Sequence, residues 1–255
     1  MKCKVQFLLL LLFGVAVHSA LAQSSQDPRM KMTTETAPDG HVLFKVENLS
    51  AQPITAMVLQ VTHSYPTNPG HSGQSLRYFD SLINSDTERD LLRYQTHTFT
   101  LPKISGPNVA GVRSDAALRA AIFADGSSYG DPQWVNRLML GRKAASQSLE
   151  EAVKILQAAK ASGASRDVLT KQAEDAKSVK AKAARVPEEK MAAGQVYETI
   201  AWSLKSDATA GSPSTSLSVT ARIDELISRF GRQQQRLLNS KPSPVATSPV
   251  GLAAN

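Results

Sequence analysis

The pattern of apolar positions along the chain changes near residue 131. Between about residues 40 and 130 apolar side chains alternate with polar ones, whereas after Asp131 they recur every three or four residues. Alternation is typical of half-buried β-strands, and a spacing of three or four is typical of amphipathic helices. The sequence therefore predicts an α+β protein with a β-rich front half and a helical back half.

The front half reads as a series of short strands separated by turn residues. Val42, Phe44 and Val46 share one face of the first strand, and a turn containing Pro53 leads to the second, so we expect these two strands to pair as a hairpin. Several strands joined by irregular loops indicate an antiparallel, Ig-like β-sandwich over residues 40–130. The predicted strands are residues 41–47, 54–62, 76–79, 96–101 and 116–124, with a short return strand after residue 126.

Residues 120–138, AAIFADGSSYGDPQWVNRL, admit two interpretations. A calcium loop would begin at Asp125 and end at Asn136, but asparagine lacks the charge of the glutamate that closes such a loop. Alternatively, Asp125 and Gly126 form a hairpin turn, and Asp131 caps a helix whose first residue is proline. We expect the second arrangement, with Trp134 folding back to seal one open end of the sheet.

The helical region, residues 131–206, is predicted to contain three helices that pack as an antiparallel bundle. Gly141 weakens the first helix, Ser148 begins a capping box that restarts it, and Gly163 ends it. Because residues 144–185 are rich in alanine and contain no aromatic ring, we expect this segment to be exposed and to depend on a partner or on self-association. The predicted inner faces are Val168, Leu169, Ala176, Val179 and Ala183 in the second helix, and Ala193, Tyr197, Ile200 and Leu204 in the third.

The C-terminal part is predicted to comprise a linker (residues 207–216), an amphipathic helix (217–239) and a disordered tail (240–255). Arg222, Arg229, Arg232 and Arg236 lie in an arc of roughly 80° beside an apolar stripe that includes Phe230. Such a helix can lie on an anionic membrane surface with its apolar face inserted, although docking of that face on its own protein is the commoner arrangement. These five residues are the candidate membrane or partner contacts.

The N-terminus has the features of a secretory signal peptide over residues 1–22. Lys2 and Lys4 precede an apolar run at residues 5–17, which is shorter than the roughly 20 residues of a membrane-spanning helix. Cleavage would lower the net charge from +7 to +5 and remove Cys3, the only cysteine, so no disulfide would remain. We therefore expect a secreted or periplasmic bacterial protein, with a flexible segment at residues 23–39.

Residues suited to catalysis or metal binding are present without a recognisable signature. His63 and His71 flank a Pro/Gly loop, and Asp80, Asp86, Glu88 and Asp90 form an acidic segment, but interleaved arginines favour a solvated loop. No nucleophile elbow, zinc-protease motif, phosphate loop or dinucleotide fingerprint occurs. We assign no catalytic, cofactor-binding or metal-ligating residue, and the expected export and the lack of aromatics among the basic residues disfavour nucleic acid.

Two stretches, FKVENLSAQPITAMVLQVTH and AAIFADGSSYGDPQWVNRL, resemble uncharacterised exported bacterial proteins of acidobacterial type. The resemblance covers about residues 40–140 and implies an Ig-like sandwich that ends in a hairpin and runs into a helix. It supplies no active residue. The sequence thus predicts a non-enzymatic binding or structural protein of the envelope with a protein partner or self-association; the alternatives are a peripheral membrane-surface protein that uses residues 217–238 and an unrecognised enzyme.

Overall fold

The computed structural model describes residues 29–65, 72–84, 88–101, 112–209 and 218–240, with side chains omitted at 206–209. The predicted signal peptide, most of the predicted linker and residues 241–255 of the predicted tail lie outside these ranges. The strands are β1 (Met30–Thr36), β2 (Val42–Asn48), β3 (Ile54–Ser64), β4 (Ser72–Asp80), β5 (Thr96–Leu101), β6 (Arg113–Phe123) and β7 (Ser128–Gly130). The helices are α1 (Pro132–Ser162), α2 (Arg166–Ala183), α3 (Pro187–Thr209) and α4 (Val219–Asn239).

The strands form two antiparallel sheets that pack face to face. Sheet A has the order β1-β2-β5, and sheet B has the order β4-β3-β6-β7. Phe44, Val46 and Phe99 of sheet A meet Met57, Leu59, Phe79 and Phe123 of sheet B in one buried cluster. The predicted α+β class, with strands before helices, is therefore confirmed.

The predicted hairpin between β2 and β3 is wrong, because the two strands belong to different sheets. Strands β2 and β3 both carry large apolar side chains. Two strands in facing sheets can point these side chains at each other across the sandwich core, which two neighbouring strands of one sheet cannot do. Asn48 stabilises the crossing: its amide nitrogen donates to the carbonyl oxygens of Gln52 (2.9 Å) and Leu91 (2.8 Å), while its oxygen accepts from the amide of Ser50 (2.9 Å).

Strand β1 lies within the segment that we expected to be flexible, and it pairs with β2 from Met30↔Asn48 to Thr36↔Val42. It is an edge strand in which only Met30 is buried. Its sequence, MKMTTET, therefore has little of the apolar alternation by which a half-buried strand is recognised.

Sheet B is covered on its second face by the start of α1. Ala56, Val58, Ala120 and Ile122 point away from the sandwich core and pack against Val135 and Leu138. Trp134 is partly buried at this cluster, so it lies against the face of sheet B and not over an open end, as we had expected. The predicted hairpin at Asp125-Gly126 and the helix start are confirmed: β6 pairs with β7, and the Asp131 side chain accepts a hydrogen bond from the amide of Gln133 (2.8 Å).

Helix α1 continues without a break to Ser162 and ends at Gly163 in the left-handed conformation (φ 62°). The expected interruption at Gly141 is absent because this glycine lies against Glu188 of α3, where an added Cβ would sit 3.3 Å from the Glu188 Cβ. Ser148, expected to restart the helix, is buried within it. Gly141 thus permits close packing of two helices.

The four helices share a second apolar core. Leu149 and Leu156 of α1, Tyr197, Ile200 and Leu204 of α3, and Ile223, Leu226 and Phe230 of α4 are buried there. The predicted faces of the third helix and of the amphipathic helix are confirmed. Helix α2 is rotated from the predicted orientation: Leu169 and Ala173 are its buried residues, whereas Val168 and Val179 are 49% and 63% exposed. Among the described helices, none is long and apolar enough to cross a membrane.

Candidate functional site

The four candidate arginines of α4 lie along one edge of the helix, and most contact neighbouring side chains. Arg222 forms an ion pair with Glu225, and Arg236 reaches Asp90 of the sandwich at 3.1 Å. Arg232 is exposed and donates to the hydroxyl of Ser228 (2.6 Å). These contacts leave the guanidinium of Arg232 the most accessible of the three.

Arg229 and Phe230 point further into the protein. Burial lowers the pKa of Arg229 from its ordinary value, and Phe230 is 1% exposed in the helical core. Because the apolar stripe of α4 packs on its own protein, Phe230 is inaccessible to a membrane while the helix stays docked. A direct contact at this surface would therefore use the arginine edge.

The acidic segment is not the solvated loop that we expected. Asp80 is 5% exposed and forms an ion pair with Arg142 of α1, which is 4% exposed. The Asp80 Oδ2 atom lies 2.8 Å from Arg142 Nε, and Oδ1 lies 3.2 Å from Nη2, which also donates to Thr55 Oγ1 at 3.0 Å. This pair joins the end of β4 to the middle of α1.

The neighbouring acids are also engaged by donors of the protein itself. Glu88 accepts from the amide of Asp80 (2.9 Å), and burial, with the Asp80 charge contributing less, raises the pKa of Glu88. Asp90 accepts from the Ser81 hydroxyl and from Arg236. Asp86 lies outside the described residues. Within the described ranges no three His, Cys, Asp or Glu side chains are grouped so as to hold a metal ion.

A second ion pair, whose carboxylate is buried, lies at the start of α3. Glu188 is 2% exposed, and its Oε1 atom accepts from the Tyr78 hydroxyl (2.7 Å) and pairs with Arg137 (2.8 Å). The Arg137 guanidinium also lies over the Trp134 ring, 4.1 Å from its centroid. Burial and the Glu188 charge raise the pKa of Tyr78, so its hydroxyl stays a neutral donor. We call the two ion pairs, Asp80–Arg142 and Glu188–Arg137, the junction.

The junction links strands to helices and was missed in the sequence. Its charges are opposed in pairs, and its carboxylates receive hydrogen bonds from fixed donors, as in a structural network. One signal was present: Leu138, Arg142, Ala145 and Leu149 follow the spacing of a buried helical stripe, so Arg142 occupies an apolar position. A charged residue at such a position needs a buried partner.

The remaining candidates are held within local structure. Asp125 accepts from the amide (2.9 Å) and hydroxyl (2.7 Å) of Ser127, which stabilises the hairpin turn. His63 lies 2.9 Å from the Ser114 hydroxyl, and His71 is outside the described residues. His97 packs between two rings, with centroids 4.6 Å from Phe79 and 4.5 Å from Phe99.

The outer side of the α2–α3 hairpin carries an open groove of about 490 Å³. Gly194 lies in it, and Lys177 and Lys190 are among its charged residues. Next to it along α3, Trp202 is 72% exposed, and Met191 at the groove is 42% exposed. We call this surface the hairpin groove; its lining residues are Lys177, Ala181, Pro187, Lys190, Met191, Gly194, Gln195 and Glu198.

A smaller cleft of about 350 Å³ lies between α1 and the α2–α3 turn. Lys143, Lys180 and Arg185 line it together with Glu189. Lys180 pairs with Glu151, and Glu189 accepts from the backbone amide of Arg185 (2.7 Å). The cleft therefore has mixed charge, with two of its groups already bound to the protein.

No protein-family model, curated protein or solved structure matches the chain. The roles of its residues accordingly rest on the geometry described above.

Proposed function

We propose that this protein is an exported, non-enzymatic binding or structural protein of the bacterial envelope, in which a sandwich supports a helical interaction surface. The observation that carries the proposal is the contrast between the junction and the hairpin groove. All four ionisable groups of the junction are paired, and three of them are buried, while Trp202 and Met191 are exposed beside the groove. Exposed aromatic and sulfur-containing side chains are enriched in protein-binding surfaces.

The sandwich belongs, in this proposal, to the Ig-like class. Constant-type Ig domains place strands 1-2-5-4 in one sheet and 3-6-7 in the other. The present orders, 1-2-5 and 4-3-6-7, differ only in the sheet that the fourth strand joins. This similarity supports the resemblance to exported bacterial proteins of acidobacterial type noted in the sequence.

Site-specific photo-crosslinking tests the proposal in the envelope of the producing bacterium. A photoreactive amino acid at Met191 should form protein adducts that Trp202→Ala reduces, whereas the same probe at the exposed Lys31 of β1 should form none. N-terminal sequencing of the recovered chain should give a start at Gln23. Absence of adducts at Met191, or a chain that remains in the cytoplasm, would contradict the proposal.

A peripheral membrane role is the second candidate, and the arginine edge of α4 favours it. Binding to anionic vesicles should weaken as salt rises and should fall when Arg232, exposed on this edge, is replaced by glutamine. Binding that is unchanged after removal of residues 217–239 would exclude this role.

A further inference from the structure

We propose that the hairpin groove receives Trp202 of a second copy of this chain, so that the protein forms a two-fold symmetric dimer through α3. This inference names the partner of the interaction surface proposed above and rests on that proposal. The exposure of Trp202 (72%) is the first observation behind it, because a single indole offers a large apolar area and binding energy is often concentrated in such residues.

The spacing along α3 makes the surface complementary to itself. Glu198 lies midway between Gly194 and Trp202, four residues from each. A two-fold axis that passes near Glu198 and runs perpendicular to the helix would place Trp202 of each copy at the level of Gly194 of the other, about 6 Å from the axis. Both insertions would then form at once, as an isologous interface requires.

The residues of the groove suit an indole ring. Gly194 has no side chain, and a Cβ built there would have only Lys177 Cε, at 3.9 Å, within 4 Å. Ala181, Pro187 and Met191 supply apolar walls, while Lys177 and Lys190 supply cations for the face of the ring. Glu198 and Gln195 provide acceptors for the indole N–H.

The charges around Trp202 are balanced, which allows two identical surfaces to approach. Along α3, Trp202 lies between Glu198 and Lys205, and each of these two residues forms an ion pair with α2. Glu198 pairs with Lys177, and Lys205 pairs with Glu174. Glu198, which would face its own copy near the axis, therefore carries a neutralising partner. A larger unbalanced charge would oppose self-association.

The size of the surface indicates a weak dimer. The 18 residues of α2 give a length of about 27 Å, and two helices side by side are roughly 20 Å wide, or about 500 Å² per copy. Stable complexes bury about 800 Å² per partner. We therefore expect dissociation constants of order micromolar.

Sedimentation equilibrium of the protein purified from the cells that produce it tests the inference directly. The native protein should dimerise over the micromolar range, and Trp202 emission should shift to shorter wavelength as the dimer forms. Trp202→Ala and Gly194→Leu should each weaken dimerisation by about 30-fold or more, the loss typical of a hot spot. Leu238→Ala, which removes another exposed apolar side chain on α4, should leave it unchanged.

Four results would overturn the inference. A monomer at all concentrations, or a dimer insensitive to both groove variants, would show that this surface does not join two copies. A monomer whose Trp202 emission shifts to longer wavelength when residues 241–255 are removed would assign the groove to the chain's own C-terminal segment. Crosslinks from Met191 to other proteins without self-association would exclude the dimer but support the proposed binding function. Absence of both crosslinks and self-association would exclude the dimer and the binding function.

Discussion

Replacing Arg142 by methionine would leave Asp80 buried without its opposite charge. The carboxylate would lose the contacts to Nε (2.8 Å) and Nη2 (3.2 Å) but keep hydrogen bonds from the amides of Leu82 (3.0 Å) and Ile83 (3.2 Å). Breaking a buried ion pair from one side costs about 3–5 kcal/mol. Because two amide donors remain, we expect the lower end, about 3 kcal/mol, which is a large part of a typical domain's stability.

Asp80→Asn should be more damaging, although it is nearly isosteric. Arg142 would remain 4% exposed, and its Nη2 atom would keep hydrogen bonds to Thr55 and to the retained Oδ1 oxygen, but an asparagine N–H would replace Oδ2 and face Arg142 Nε. We expect a loss of about 4–5 kcal/mol in the free energy of unfolding. The double variant Asp80→Asn/Arg142→Met removes both charges, so it should be more stable than Asp80→Asn alone by about 2 kcal/mol or more.

Urea denaturation followed by far-UV circular dichroism measures these differences. Lys154→Met is the matched control, because the side chains of its ion pair with Glu150 are 70% and 59% exposed and solvent screens the attraction, so its loss should leave the free energy of unfolding almost unchanged. A loss below about 1 kcal/mol for Arg142→Met, or strictly additive losses in the double variant, would refute the view that the pair is a buried, coupled unit.

Three further predictions concern backbone conformation and pH. Gly130→Ala should lower the free energy of unfolding by about 3 kcal/mol, because at φ +98° its Cβ would lie 2.1 Å from the Arg119 carbonyl oxygen. Gly163→Ala should cost only about 1 kcal/mol, because at φ +62° its Cβ would have no neighbour within 4 Å. Equal losses in urea titrations would contradict this reasoning. Tyr94→Asn should raise the urea midpoint, with a gain of about 0.5–1 kcal/mol, because the residue adopts φ 63°, which asparagine tolerates better; an unchanged or lower midpoint would count against strain there. Burial lowers the pKa of His97, so on acidification the imidazole is protonated in the unfolded chain before it is protonated in the folded one, and the free energy of unfolding should fall as pH drops below about 6.5. In denaturation series from pH 7 to 5, His97→Phe should reduce this fall. The same pH dependence in the variant and the native protein would exclude His97 as its source.

Elements with a strong local pattern were predictable from the sequence. Strand β5 was expected at residues 96–101 and occupies Thr96–Leu101, and α4 was expected at 217–239 and occupies Val219–Asn239. Their apolar periodicity and terminal residues act within the segment itself. The turn at Gly126 and the helix cap at Asp131 were recoverable for the same reason.

Features that depend on distant residues were not predictable. Which strand pairs with β2 is decided by how the sheets share their core, and alternation alone does not specify it. The orientation of α2 follows from its packing on α3, so Val179 was assigned to the wrong face. The candidate site was not predictable for the same reason, because the hairpin groove forms only when α2 and α3 lie side by side. In addition, neither Trp202 nor Gly194 has a distinctive pattern of neighbouring residues in the sequence.

Helix α1 contributes to two cores, and this has a consequence for how the chain can be divided. Its first turns cover the outer face of sheet B, and its remaining turns supply Leu149 and Leu156 to the helical core. Cutting the chain at residue 131 would expose Val58 and Ile122 to water and remove the partner of Asp80. Calorimetry of the intact chain should therefore show a single endotherm, and limited proteolysis should not release a stable front fragment. Any evolutionary exchange of the helical half for another would have to retain the opening turns of α1.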